Sequence, residues 1–135
     1  MGERNSTDTR DRATLKKMDF TTVFQELKGI LLPYGERLVV VADTDKDYHL
    51  NTSHVMKNKK PLFFAAAQIQ KNYVSYHLMP IYVNPELLSP ISVALRKRMQ
   101  GKSCFNFSKV DIPLFEELQQ LTQFGFEDYV SKGYI

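Results

Sequence analysis

Residues 62–82 constrain the fold of this chain more than any other segment. Two apolar, aromatic-rich runs, 62–69 (LFFAAAQI) and 73–82 (YVSYHLMPIY), are separated by Gln70, Lys71 and Asn72. So short a gap admits a tight hairpin and little else, which predicts antiparallel pairing. With Lys71 and Asn72 as the turn, Ile69 pairs with Val74, Gln68 with Ser75, Ala67 with Tyr76 and Ala66 with His77. Ala65 then meets Leu78, and Phe64 meets Met79. Side chains alternate between faces along a strand. One face therefore carries Ile69, Val74, Ala67, Tyr76, Ala65, Leu78 and Phe63 and is predicted to face helices. The other carries Gln68, Ser75, Ala66, His77, Phe64 and Met79, polar near the turn and apolar at the far end. A slip of one residue would exchange the two faces. Pro80 marks a strand end or sheet edge, because proline cannot donate to the ladder.

The flanking segments extend this hairpin into a domain. Residues 38–42 (LVVVA) and 48–55 (YHLNTSHV) read as strands, with turns at 44–46 and 57–60. Four consecutive strands joined by short turns imply an antiparallel meander. Upstream, Asp19 is positioned as the N-cap of a helix in which Phe20, Val23, Phe24, Leu27, Ile30 and Leu31 form one stripe; Pro33 and Gly35 stop it. Downstream, a helix is predicted over 86–100, with Pro90 loosening its first turn and Gly101 ending it. A strand at 103–107 (SCFNF) follows, then a final helix capped by Asp111 that presents Leu114, Leu118, Leu121 and Gly125 on one side. The order α-ββββ-α-β-α predicts an α+β fold, a mainly antiparallel sheet of about five strands backed by helices in two layers, over residues 18–135. Residues 1–17 contain almost nothing that can be buried and read as a disordered polar tail.

Composition narrows the function classes. A chain of 135 residues with 43% hydrophobic content is one globular domain. No apolar run reaches the ~18–20 residues of a membrane helix, so no membrane partner is expected. One cysteine, Cys104, excludes an intramolecular disulfide and a multi-cysteine metal site, and the cytoplasm is the expected location. The net charge of +3 hides a segregation: residues 48–110 hold nine basic groups and one acidic, residues 18–47 three basic and six acidic. The basic groups are spread over two turns, a helix end and a strand without a recognition signature, so nucleic acid is disfavoured as a partner. The 57–60 turn and the 96–102 stretch are the places to look for an anionic partner.

Three fragments resemble known sites and fail on inspection. Asp43, Asp45 and Asp47 begin like a calcium loop, but Tyr48 stands where the sharp turn wants glycine and His54 where a bidentate glutamate closes the cage. Gly101-Lys102-Ser103 ends like a phosphate loop, yet Arg96 occupies the first glycine position and the fragment runs from helix into strand, the reverse of the required order. His49 and His54 are five residues apart, on opposite faces of a regular strand, and cannot ligate one metal. No nucleophile has a base and an orienting group at a recognisable spacing, so the chain reads as non-enzymatic.

The phrases at 71–82 (KNYVSYHLMPIY), 98–107 (RMQGKSCFNF) and 121–126 (LTQFGF) resemble the YdhG-like bacterial family of domains of unknown function, over roughly residues 20–135. The resemblance implies an α+β domain with an antiparallel sheet backed by helices. Some relatives are described as frataxin-like intracellular iron chaperones that use an acidic surface of the first helix and first strand. Here the corresponding residues are Asp19, Glu26, Glu36, Asp43, Asp45 and Asp47.

Two expectations follow. The leading one is a small binding or adaptor domain without a cofactor, a monomer or homodimer, whose open sheet face around Phe64, His77 and Met79, with Lys102 nearby, meets an unidentified small molecule or protein. The alternative is iron binding and delivery through Asp43, Asp45 and Asp47.

Overall fold

The computed structural model describes residues 9–135, with side chains from residue 19 onward. The first helix, α1, spans Thr9–Leu31. Its buried stripe is the expected one: Phe20, Val23, Phe24, Leu27 and Leu31 are buried and Ile30 packs at the margin. Its start differs. Residues 9–18 contain no glycine or proline to interrupt a helix, and α1 runs through them, so Asp19 is an interior residue and not an N-cap. Of the tail expected over 1–17, residues 1–8 lie outside the described residues and the remainder belongs to α1. Pro33 sits in a single 3-10 turn, Leu32–Tyr34, closed by the Gly35 N–H donating to the Leu32 carbonyl at 3.1 Å.

The strands are β1 (Val39–Asp43), β2 (Asp47–Val55), β3 (Pro61–Ile69), β4 (Val74–Leu78), β5 (Met99–Gln100) and β6 (Cys104–Phe107). Among the described residues they form one antiparallel sheet in the order β1-β2-β3-β4-β6-β5. The fold is therefore α+β, with one strand more than expected. The added strand is β5, which lies within the segment expected to be helical. That segment instead forms a 3-10 turn (Pro85–Leu88), the short helix α3 (Val93–Arg96) and β5. Pro90 accounts for the break, since it has no N–H with which to continue the helical ladder. Helix α3 then restarts at Ser92, whose hydroxyl accepts from the Leu95 N–H at 3.1 Å. The Ser92 N–H and hydroxyl both donate to the Glu117 carboxylate, at 2.8 and 2.7 Å. Gly101, at φ 78°, turns β5 into β6 instead of ending a helix.

The central hairpin has the expected register from Ile69–Val74 to Ala65–Leu78. Beyond it, β4 stops at Leu78 and Pro80 enters the first turn of the helix α2 (Met79–Val83). Met79 thus has no strand partner, and it packs half-buried against the core instead of lying on the open face. On the other side of β3, Leu50 pairs with Ala65 but Asn51 pairs with Phe63, so Phe64 is the extra residue of a β-bulge. The bulge reverses the alternation at these two positions. Phe64, expected on the open face, is wholly buried among Tyr34, Phe126 and Tyr129, and Phe63 takes the outward position expected of Phe64.

The last helix, α4 (Ile112–Ser131), is capped as expected by Asp111, whose carboxylate accepts from the Leu114 N–H at 3.2 Å. Leu114, Leu118, Leu121 and Gly125 are all buried on its inner side. Buried polar groups on this side are paired. The Thr122 hydroxyl donates to the Leu118 carbonyl, leaving its oxygen to accept from the Tyr76 phenol, whose pKa burial pushes far above the ordinary tyrosine value. No described helix is long and apolar enough to cross a membrane.

Two glycines separate packing from helix propensity. A Cβ at Gly125 would lie 2.9 Å from the Pro80 Cβ, whereas one at Gly29 would meet nothing within 4 Å. Gly29→Ala is expected to raise stability by up to ~1 kcal/mol through propensity. Gly125→Ala is expected to lower it by ~1 kcal/mol, because overpacking costs of ~1–3 kcal/mol exceed the same gain. Urea unfolding midpoints check the pair; shifts of the same sign would contradict the packing of α2 on α4.

Candidate functional site

The described helices gather on one face of the sheet, where α1 meets β3 and α4 packs with α1, α2 and α3. On the opposite face the centre is set by Ala66, which is flanked by His49 on β2 and His77 on β4 as its direct cross-strand partners. A methyl group leaves room between two imidazoles. The Phe63 ring, turned to this face by the bulge, fills it: ring centroids lie 4.6 Å from His49 and 4.8 Å from His77. Three rings from three adjacent strands therefore form a row, each half-buried.

Polar groups fix the ends of the row. His49 Nε2 lies 3.1 Å from Asn51 Oδ1 on its own strand. His77 Nε2 lies 2.7 Å from Ser103 Oγ, in the turn that leads into β6. Ser103 is itself buried, and its carbonyl accepts from the Leu78 N–H at 2.9 Å, so the histidine and its partner are held by backbone on both sides. Burial, and secondarily the charge of His49, hold the His77 imidazole below its ordinary pKa, so the ring is neutral at neutral pH. Cys104 is the cross-strand partner of His77, but burial pushes its thiol up, which keeps it protonated and a poor nucleophile. The face offers flat aromatic surface edged by the hydrogen-bonding groups of Asn51 and Ser103.

Of the four residues proposed from sequence, the structure keeps His77 on this face. Lys102 lies in the adjacent turn, one residue before Ser103, with its ammonium 6.0 Å from the centre of the Tyr82 ring. Phe64 and Met79 belong to the helix side. Phe63, His49, Asn51 and Ser103 were not singled out as site residues. His49 was within reach, since alternation along β2 opposite Ala66 places it there; Phe63 was not, because the bulge is a feature of the β2–β3 register.

The carboxylates of the iron alternative do not converge. Asp43 is paired across the sheet with Tyr48 and forms an ion pair with Lys28 of α1 at 2.8 Å, on the helix side. Asp47 is paired with Gln68, accepts from its side-chain amide at 3.1 Å and shares the face of His49. Among the described residues no group of three or more His, Cys, Asp or Glu is placed to hold a metal ion. Hard cations need several clustered oxygens, and Asp43, Asp45 and Asp47 do not supply them. No family model, curated protein or solved structure matches the chain.

The neutral state of His77 has a sign that can be tested. A folded-state pKa below the unfolded value, near 6.5, means the unfolded chain binds the proton more tightly. The resulting stability is present above that value and is lost as pH falls through it toward the folded pKa. Urea unfolding at ~pH 7.5 and ~pH 5.5 is expected to show a smaller acid loss for His77→Asn than for the wild type. Equal losses would mean that His77 titrates in the fold as it does in the unfolded chain.

Proposed function

We propose that this chain is a small non-enzymatic binding domain whose open sheet face receives a protein or small-molecule partner through the His49–Phe63–His77 row. The observation that carries this reading is the row itself. A sheet face meant only to meet water is ordinarily lined with polar and charged groups, whereas this one places a phenylalanine between two imidazoles. Such a surface favours a partner that offers a flat or aromatic group: stacking geometries contribute ~0.5–1.5 kcal/mol beyond area burial. Asn51 and Ser103 at the ends supply orientation. Because His77 is held neutral at neutral pH, that imidazole does not itself attract an anion there. Assignment to the YdhG-like family rests on the phrases at 71–82, 98–107 and 121–126 alone and adds no ligand. A cytoplasmic location, and action as a monomer or homodimer, complete the proposal.

A direct test uses N-acetyl-tryptophanamide as a probe of aromatic recognition. Titration followed by backbone amide NMR is expected to give saturable shifts at His49, Phe63, Ala66, His77 and Cys104, abolished in Phe63→Ser. Shifts that persist unchanged in Phe63→Ser, or their absence in the wild type, would remove the reading.

A further inference from the structure

The helix side carries a second candidate site that shares no residue with the open face. Lys97 ends α3, and Arg98 is held beside β6 by its carbonyl, which accepts from the Asn106 N–H at 2.8 Å. Where β6 ends, Ser108 and Lys109 come to the same place. The result is a cavity of about 360 Å³ lined by Lys97, Arg98, Ser108, Lys109 and Asp111, with Phe107 and Leu114 as apolar wall. Three cations thus come from two chain segments around one opening. Among the described residues the ion pairs join Lys28 to Asp43 and Lys132 to Asp128, and none involves these three. The single acidic group present, Asp111, is committed to the Leu114 N–H as the cap of α4. The local excess is two positive charges.

We infer that this cavity binds a small organic phosphate monoester. A dianion matches the local excess, and the Arg98 guanidinium can engage phosphate oxygens in the bidentate manner that lysine cannot. The volume is near the lower end of small-molecule sites, which suits a compact ligand. The apolar wall gives the organic part a place beside the charge. The N-terminus of α4 contributes little here. Pro113 lacks an N–H and Leu114 already donates to Asp111, so the cations carry the recognition.

Phenyl phosphate, titrated into the full chain at constant ionic strength and followed by backbone amide NMR, tests this. Saturable shifts are expected at Arg98, Ser108 and Lys109, with none from phenol. The exposed double substitution Arg98→Gln/Lys109→Gln is expected to weaken binding at least about tenfold while the remaining spectrum stays in place. The inference is overturned if these amides show no saturable shift, if sodium sulfate at equal ionic strength shifts them equally, or if the double variant binds as the wild type does. Because the readout is at residues remote in sequence from His49, Phe63 and His77, its outcome is independent of the open-face proposal.

Discussion

One extra residue in β3, Phe64, determines what each face of the sheet presents. Strand alternation alone would send Phe63 inward and Phe64 outward. The bulge opposite Leu50 and Asn51 reverses this, and the reversal is anchored from the helix side: the Tyr129 hydroxyl donates to the Phe63 carbonyl at 3.0 Å. Burial raises the Tyr129 pKa well above the ordinary tyrosine value, so the phenol remains a donor. The same Tyr129 ring packs edge-on against Phe64. A single side chain of α4 thereby holds both consequences of the bulge, the buried ring and the carbonyl of the outward-facing one.

The two faces then divide by chemistry. Inward, Phe64 joins Tyr34, Phe126 and Tyr129 in an aromatic cluster over which Arg37 lies, 5.0 Å from the Phe126 ring. Outward, Phe63 bridges two histidines across the gap left by Ala66. The small residues 65–67 are what make both arrangements possible. Ala65 and Ala67 let the helices close on the sheet, and Ala66 gives the imidazoles room for a third ring between them. Replacing Ala66 by a larger residue would fill that gap and separate the row.

Much of this fold was legible in the residues. The hairpin register followed from a three-residue connection, and the inner stripes of α1 and α4 followed from their 3.6-residue period. Most of what was not legible is local irregularity set by pairing between segments. The bulge at Phe64 has no signature such as glycine. Strand β5 has two residues and exists because Gly101 folds Met99 and Gln100 onto β6. Residues 9–18 are mostly polar and offered no stripe to detect, although they contain no glycine or proline to oppose a helix. His77 was placed correctly because its partner, Ala66, belonged to the hairpin whose register was fixed. Met79 leaves the open face because the β3–β4 pairing ends at Leu78, and Phe64 leaves it because the bulge against β2 turns it inward.

The bulge is tested most directly by comparing Phe63→Ala with Phe64→Ala in urea unfolding. Truncating a fully buried phenylalanine costs ~3–5 kcal/mol, so Phe64→Ala is expected to lose that much. Phe63→Ala, which removes a half-exposed ring and its contacts with two imidazoles, is expected to lose only ~1 kcal/mol. Equal losses, or a greater loss at Phe63, would contradict the inversion of these two side chains and the division of the sheet into two faces that follows from it.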